Sequence, residues 1–583
     1  MMTDEGAGPS VVRGPGDDRA EALIRGRFDE LMRVWPGLAS YMGIHAFDAE
    51  LPDMSRAALE GQIAAERRFL ADLDGLDADG LSPRIAFERD LATHAARKRL
   101  FELDVQRGWE RHASAAEDIG DALFVLLARD VATLEERLGS MVARLEAAPQ
   151  ALLSARDRLG ARPARLWNEM ELATARDLPI LIDEILVAAR GVWADDGPEG
   201  RRLAAAGARL KAALDDHARW LEGRLAGATD ETALGSDAFD TLVGLRAFDG
   251  LDTDEILEIG REQLAAQHEA RAAAGRELDS ALDEAAALDR VKSDGPGDFA
   301  EAMAAYRSSA ARARDFVERR GIATIPPDEL LEIVPTPAYL RGVMPFAAYI
   351  EPSVDDRPLR GLYLVTPSVD GDPRAMREHS WASIVNASVH EAYPGHHQQH
   401  AAALSAATPS RLLARAPEFV EGWGMYCEQL MLEEGFDDTP ERRIIVATDA
   451  IWRAIRIVLD IRLHRGEIGV AEAIETLIEH TGFERPHATA EVHRYTRTPT
   501  YNLSYLLGKV LLLRLRDDQR RRLGPAFSLR GFHDALLYSG SIPVAFHRRL
   551  LRGEGGGPTP VGPAVRLTGD SLERTTAGDT GPA

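Results

Sequence analysis

The sequence predicts a mainly α-helical protein with one short β-hairpin in its second half. Alanine, leucine, arginine and glutamate, which favour helix over sheet, dominate the 583 residues. Apolar residues recur at helical spacing in many places, for example at Ile451, Ile455 and Val458. The segments 347–352 and 361–366 instead have β-forming compositions and flank a turn-like stretch, which predicts the hairpin.

Composition divides the chain into four segments. Residues 1–18 are rich in Gly, Pro, Asp and Ser and are predicted to be disordered, and residues 553–583 read as a flexible tail that contains a Gly-Gly-Gly run. Between these ends, the Pro-rich stretch 325–337 is the best candidate boundary. It separates a predicted N-terminal helical lobe, residues 19–330, from a predicted metal-binding region, residues 331–552.

Charge and cysteine content exclude several classes of protein. The formal net charge of −25 argues against nucleic acid as a partner, because phosphate binding needs clustered cations. The single cysteine, Cys427, excludes an internal disulfide and a cysteine-ligated zinc cluster. The first residues do not resemble a secretory signal, and no apolar run is long enough to cross a membrane. We therefore expect a cytoplasmic protein that binds no membrane; its oligomeric state is not indicated.

The run from His390 to His400, His-Glu-Ala-Tyr-Pro-Gly-His-His-Gln-Gln-His, is the most informative feature for function. A zinc hydrolase needs imidazoles on the metal and a carboxylate beside the attacking water, and here Glu391 could be that carboxylate. In an ordinary His-Glu-x-x-His helix the two histidines lie four residues apart on one face. In this chain Pro394 takes the fourth position, and the next histidine is His396.

On a straight helix, the side chains of His390 and His396 would point about 120° apart and could not share an ion. Pro394 cannot donate a hydrogen bond to the carbonyl of His390, and its ring clashes there. Gly395 then permits backbone angles that other residues avoid. We therefore expect a kink that brings His396 back to the position of a second ligand.

Two alternatives for the second ligand come from the same run. His397 would face the right way on a straight helix but would lie about 10 Å along the axis, so His396 is preferred. His396 paired with His400 is a third possibility, which would leave Glu391 without a role. A histidine-rich helix end without metal would also be favourable, because histidines stabilise a C-terminal helix dipole.

Glu421 is the best candidate for a third ligand. It follows the motif at a distance that leaves room for a loop and the start of an antiparallel helix. Gly422 and Gly424 beside it suggest that another group approaches this helix face closely. Glu418 and Glu428 share the face and could act as hydrogen-bond partners around the metal site.

The block 491–509 supplies phenols and cations that could stabilise an oxyanion. Arg494, Arg497 or Lys509 could also bind a substrate carboxylate, which would favour carboxypeptidase action. The hairpin ahead of the motif could pair with an extended peptide through main-chain hydrogen bonds.

Together these blocks resemble the bacterial domain-of-unknown-function 885 family, whose hallmark is His-Glu-x-x-Pro-Gly-His. The matching blocks cover residues 390–398, 421–428 and 495–508, with further likeness at 531–537 and 35–55, so that the resemblance spans roughly residues 20–550. That family is itself similar to helical zinc peptidases such as the carboxypeptidase Taq family. The resemblance implies a two-lobed helical body with a deep central cleft and the β-hairpin near the active site.

The resemblance also implies roles for single residues. The zinc ligands would be His390, His396 and Glu421, with Glu391 as general base. Tyr505 would stabilise the oxyanion, and His493 would bind the substrate or the oxyanion. Apart from the resemblance, we expect the residues that contact the substrate to be Tyr363, Arg494 and Tyr501.

We therefore expect a metallohydrolase with one zinc ion that cleaves short peptides or peptide-like amides, in the manner of a carboxypeptidase. A specialised amide or ester hydrolase of small-molecule biosynthesis and a non-catalytic metal- or peptide-binding protein are the alternatives. Manganese or cobalt could also occupy two histidines and a carboxylate.

Overall fold

The computed structural model describes residues 13–129, 132–337, 347–354, 356–367 and 376–562. It is mainly helical with one small sheet, which confirms the predicted fold class. No helix in these ranges combines the length and apolar character that crossing a membrane requires.

The helices that precede the sheet are α1 Asp17–Val34, α2 Pro36–Met42, α3 Arg56–Asp74, α4 Pro83–Phe101, α5 Gly108–Arg111, α6 Ala115–Ala128, α7 Leu134–Arg158, α8 Arg165–Ala189, α9 Pro198–Leu225, α10 Ser236–Arg246, α11 Thr253–Leu278, α12 Glu284–Ser293 and α13 Phe299–Arg320. Those that follow it are α14 Trp381–Glu391, α15 His396–Ala403, α16 Pro409–Leu413, α17 Pro417–Glu433, α18 Pro440–His464, α19 Val470–Thr481, α20 Arg485–Tyr495, α21 Ser504–Leu523, α22 Leu529–Leu537 and α23 Val544–Leu551.

The sheet has three strands, β1 Glu329–Pro335, β2 Ala347–Ile350 and β3 Leu359–Val365, in the order β1-β3-β2. Strands β2 and β3 are antiparallel, as the predicted hairpin required, whereas β1 pairs with β3 in parallel. Strand β1 lies inside the Pro-rich stretch that was predicted to be a boundary. Its prolines did not prevent pairing because proline is tolerated at the end of a strand, as at Pro335.

The largest apolar core joins α10–α13 to the helices that follow the sheet. In one place α11 and α18 approach so closely that a Cβ at Gly260 would lie 2.8 Å from Cγ2 of Ile457. A second core lies mainly between α6, α7, α8 and α9. The largest core therefore contains residues from both sides of the predicted division at residue 330, and smaller apolar clusters join α1, α2 and α4 to elements that follow β2.

The chain ends are more ordered than composition suggested. Helix α1 begins at Asp17, and Arg13 forms ion pairs with Asp18 and Glu21, so residues 13–18 belong to the folded body. Near the other end, the Ser405 hydroxyl donates to the carbonyl oxygen of Gly562 at 2.6 Å. Residues 1–12 and 563–583, the remainder of the predicted disordered ends, lie outside the described ranges.

A cleft of about 1200 Å³ runs between the two halves of the chain. One wall consists of residues from α1, α2, α4 and α6, and the other of residues from β2, 412–417 and 497–501. Aromatic side chains such as Trp35, Trp109 and Phe124 line it, so much of its surface is apolar.

Candidate metal centre

The helix that carries the histidine motif is interrupted where the sequence predicts. Helix α14 ends at Glu391 and α15 begins at His396. A Cβ at Gly395 would lie 1.9 Å from the carbonyl oxygen of His390, so only glycine fits this turn. The indole nitrogen of Trp423 donates to the carbonyl oxygen of Pro394 at 2.8 Å and holds the turn against α17.

The break brings three predicted ligands together. The ring centroids of His390 and His396 are 4.7 Å apart, and Nε2 of His396 lies 3.7 Å from Oε2 of Glu421. One ligand atom from each of these residues lies within 4.8 Å of the others. Two imidazoles and a carboxylate are donors that zinc accepts, so this group could hold one ion.

Hydrogen bonds orient both imidazoles. Nδ1 of His390 donates to Oε1 of Glu428 at 2.7 Å, and Nδ1 of His396 faces Oε1 of Gln399 at 3.3 Å. Each ring is thereby left with Nε2 available for a cation, as carboxylate–histidine–metal arrangements require. Glu428 therefore lies where the sequence suggested a hydrogen-bond partner of the site, and the group that it contacts is His390.

The charges of the centre favour a cation. Burial would lower the pKa of His390, but the hydrogen bond to Glu428 and the charge of Glu391 raise that pKa to about 9. Burial would raise the pKa of Glu421, but the neighbouring His396 lowers it to about 2. The Glu421 carboxylate therefore stays ionised, and a divalent ion can replace a proton of the His390 ring.

The two alternative histidines are committed to other groups. Nε2 of His397 lies 2.5 Å from Glu329, and its Nδ1 lies 2.9 Å from the hydroxyl of Tyr349. Nδ1 of His400 lies 2.7 Å from Glu351. Neither ring joins the convergent group formed by His390, His396 and Glu421.

Helix α17 approaches the centre through glycines. A Cβ at Gly422 would lie 2.6 Å from Cα of Gly508, so α17 and α21 cross in close contact. A Cβ at Gly424 would lie 2.6 Å from Cε1 and 2.7 Å from Nε2 of His390. The absent side chain of Gly424 therefore provides the space in which the His390 ring lies.

Replacing Gly424 with alanine should weaken zinc binding about 10–100-fold, because the His390 ring must turn away from the centre. Competition with a chromophoric chelator would measure the zinc affinity. Gly223→Ala is the control, because a Cβ at that helical position meets no atom within 4 Å. Zinc affinity equal to wild type in Gly424→Ala would contradict the assignment of His390 as a ligand.

Glu391 occupies the last position of α14, next to His390. Among the described residues, no hydrogen bond or ion pair engages its carboxylate. Its negative charge contributes to the raised pKa of His390, which shows that the two groups interact. An unpaired carboxylate beside a metal centre is suited to accept a proton from water.

Two predicted phenols face the centre. The Tyr501 hydroxyl donates towards Oε1 of Glu421 at 3.4 Å, and the hydroxyls of Tyr501 and Tyr505 are 3.4 Å apart. Tyr501 also lines the cleft, so this side chain lies between the cleft and Glu421.

Asp460 of α18 fixes the turn that carries Tyr501. Its carboxylate accepts from the backbone N–H of Thr500 at 2.7 Å and from the side-chain amide of Asn502 at 2.8 Å. Thr500 has a φ of +67°, a left-handed conformation that needs such support. Burial raises the pKa of Asp460 to about 7.

The sequence of the chain matches the family described as "Bacterial protein of unknown function (DUF885)" over residues 36–551. The chain belongs to this family. No curated protein matches the chain at a significant level.

Two solved structures have the same fold as this DUF885 protein. One is titled a "putative lipoprotein of unknown function" from Shewanella oneidensis; it is 20% identical, with a TM-score of 0.75 over 91% of this chain and 99% of that one. The other is a "putative lipoprotein" from Colwellia psychrerythraea; it is 19% identical, with a TM-score of 0.77 over 92% of this chain and 98% of that one. At these identities the likeness establishes the fold alone.

Among the described residues, two predicted site residues of this DUF885 protein form no hydrogen bond or ring contact with the three candidate ligands, although the charge of Glu391 still acts on Tyr363. Within the described ranges, His493 makes no hydrogen bond or ion pair with the centre; burial lowers its pKa, and the charge of Glu169 on α8 opposes that effect. Tyr363 is fully buried, with its ring edge-on against Tyr306 at 5.7 Å. It faces inward because β3 packs this side against α13, so Tyr363 cannot line an open substrate surface.

The three cations suggested for a substrate carboxylate have different surroundings. Arg494 donates to Glu491 at 2.8 Å and keeps 33% of its side chain exposed. Arg497 forms a bidentate ion pair with Glu117, with N···O distances of 2.7 and 2.8 Å. Lys509 is 3% exposed, and burial lowers its pKa. Of the three, Arg494 is the most available to a ligand.

A second group of potential ligands, His112, Glu117 and Glu171, is less suited to a metal. Glu117 is already held by Arg497, and Glu171 accepts from the backbone N–H of Ala116 at 2.7 Å. These contacts attach α6 to its neighbours, so both carboxylates have structural partners.

Proposed function

We propose that this DUF885 protein is a zinc-dependent hydrolase that cleaves amide bonds in short peptides or peptide-like molecules, with a carboxypeptidase-like preference. The convergence of His390, His396 and Glu421, with the unpaired Glu391 beside them, carries the proposal. When bound, zinc would lower the pKa of water and polarise the substrate carbonyl.

The protein groups around the centre divide the remaining tasks. Glu391 accepts a proton from the attacking water and then delivers it to the leaving amine. Tyr505 and Tyr501 present hydroxyls that can donate to the oxygen of the tetrahedral intermediate as it gains charge. Glu428 and Gln399 keep the two imidazoles oriented throughout.

The cleft supports a small substrate. Its two walls enclose a volume of about 1200 Å³, which suits a short extended chain better than a folded protein. The same apolar walls, with Trp35 and Trp109, would also suit a bulky biosynthetic amide or ester, so a specialised hydrolase is the second candidate.

The cytoplasmic location stays a prediction. Two proteins of the same fold carry the word lipoprotein in their titles, which favours testing an envelope location as well. Fractionation of cells that produce the native protein would compare the two locations.

Zinc removal tests the proposal directly. We expect the zinc-loaded protein to release C-terminal residues from members of a dipeptide and tripeptide panel, and a chelator to abolish this activity until zinc is restored. Liquid chromatography with mass spectrometry would follow the products. Turnover confined to one member of a panel of amides and esters would favour the specialised hydrolase. Zinc binding without turnover of any substrate would favour a non-catalytic binding protein.

A further inference from the structure

Arg456 of α18 is a buried cation close to the candidate centre. It is 3% exposed, and its guanidinium lies over two aromatic rings, 4.2 Å from the ring centroid of Trp452 and 4.7 Å from that of Tyr505. Tyr495 lies beside it, with its hydroxyl 3.0 Å from Nε of Arg456. Aromatic surroundings exclude water and strengthen any charge-assisted hydrogen bond that Arg456 makes.

The hydrogen bonds of Arg456 leave one end of the guanidinium unused. Nε donates to Tyr495 and Nη2 donates to Glu491 at 2.7 Å. Within the described ranges Nη1 has no hydrogen-bond partner, and it is not among the enclosed side-chain atoms that lack one, so it borders open space. A guanidinium has five N–H donors, and here those on Nη1 remain available to a ligand.

The ion pairs around Arg456 leave a positive charge. Glu491 accepts from both Arg456 and Arg494, so one carboxylate is shared by two guanidinium groups. The single negative charge of Glu491 therefore neutralises only one of these two positive charges. A bound anion would balance this excess, and a carboxylate fits the planar donor fork of an arginine.

Contacts connect Arg456 to the centre through Tyr505. The Tyr505 ring lies under the guanidinium, and its hydroxyl is 3.4 Å from that of Tyr501, which in turn is 3.4 Å from Glu421. Arg456 thus lies about one side chain beyond the centre.

We propose that Arg456 binds the free α-carboxylate at the C-terminus of the substrate. This anchor would place the preceding amide bond at the centre formed by His390, His396 and Glu421, so that a single C-terminal residue is released. The inference rests on the proposed hydrolase function and names the terminus that the site recognises. Arg494, on the other side of Glu491, supports the anchor by sharing that carboxylate.

The test compares two probes that differ only at the C-terminus: N-acetyl-Ala-Ala-Phe with a free carboxyl group, and its C-terminal amide. The wild type should prefer the acid. Arg456→Gln should lower kcat/KM for the acid about 100-fold, the loss expected when a buried charged partner is removed, and change kcat/KM for the amide less than about threefold. The kcat/KM of Arg456→Lys for the acid should lie between the values of the wild type and Arg456→Gln, because lysine keeps the positive charge but lacks the planar N–H donors of the guanidinium.

Arg453→Gln is the matched control. Arg453 also lies over Trp452, at 4.0 Å, but it pairs with Asp449 and does not contact Tyr505. This variant should keep the acid preference of the wild type. Thermal melting and zinc content would establish that each variant is folded and loaded; if Arg456→Gln fails to fold, Arg456→Lys carries the comparison.

Equal losses for acid and amide in the folded Arg456 variants would overturn the inference, because a merely structural role would affect both probes. If the wild type cleaves neither probe, calorimetry on zinc-loaded Glu391→Gln separates the two proposals. Tighter binding of the acid than of the amide, lost on adding Arg456→Gln, would preserve the carboxylate site while the hydrolase function fails. Equal binding, or no binding, would overturn the carboxylate site as well.

Discussion

Replacing Glu391 with glutamine should lower kcat for peptide hydrolysis by about 10²–10⁴-fold, the contribution expected of a general base. Glutamine keeps the shape of the side chain but cannot accept the proton of the attacking water. Because the Glu391 carboxylate forms no hydrogen bond or ion pair with any described residue, the substitution removes no hydrogen bond from the fold. Zinc content and thermal stability should therefore stay close to those of the wild type.

The control for this variant is Glu479→Gln, at an exposed position on α19. It removes one negative charge from the protein without approaching the centre, so its kcat should equal that of the wild type. The catalytic role of Glu391 is refuted if zinc-loaded Glu391→Gln hydrolyses the peptide panel at the wild-type rate.

The second large effect is expected in metal binding. His396→Ala should lose the bound zinc, whereas His397→Ala should keep about one ion per chain, because only His396 belongs to the convergent group. Elemental analysis of proteins purified without chelator would measure the stoichiometry. Once both variants are free of metal, His397→Ala should have a lower melting temperature than His396→Ala.

The reason lies in the contacts of His397. Its ring bridges buried Glu329 and Tyr349, so His397→Ala leaves polar groups without a partner at a cost of about 1–3 kcal/mol in the free energy of unfolding. His397→Ala is therefore an informative control, because we expect it to be less stable than His396→Ala and still to bind zinc. Zinc retained in His396→Ala but lost in His397→Ala would reverse the ligand assignment.

The local geometry of the histidine motif could be predicted because it depends on two residues with strong backbone preferences. Pro394 cannot continue the hydrogen bonding of α14, and Gly395 accepts a close approach to the His390 carbonyl that a Cβ would prevent. The glycines beside Glu421 similarly indicated a close contact, although the sequence did not reveal that His390 and Gly508 make it.

Other parts of the site depend on which way a side chain points after the helices have packed. His493 and Arg494 are adjacent in sequence, but on α20 they face different neighbours, Glu169 and Glu491. Arg456 could be noticed only as a single cation within the apolar stripe of Ile455 and Val458. Its relation to Glu421 arises from the tertiary packing of α18 against α17 and α21, which no local pattern encodes.

The predicted domain division at residue 330 does not coincide with a gap between apolar cores, for a related reason. Proline-rich segments often separate domains, but 329–335 forms a strand that pairs in parallel with β3. Helices α10–α13 carry enough apolar residues to pack with the later helices, and they join the largest core despite preceding that strand. The hairpin was recognisable because antiparallel neighbours are close in sequence, whereas the parallel partner is not.

The attachment of Asp460 to the Thr500–Asn502 turn has a mechanical consequence. Helix α18 carries Asp460 and Arg456 four residues apart, so the turn with Tyr501 and the proposed carboxylate anchor are fixed to one rigid rod. Thermal motion of that rod would displace both groups by the same amount and preserve the spacing between them. The distance between the carboxylate anchor and the Tyr501 turn would then be the same for every substrate. Movements of the opposite wall of the cleft would accommodate substrates of different size.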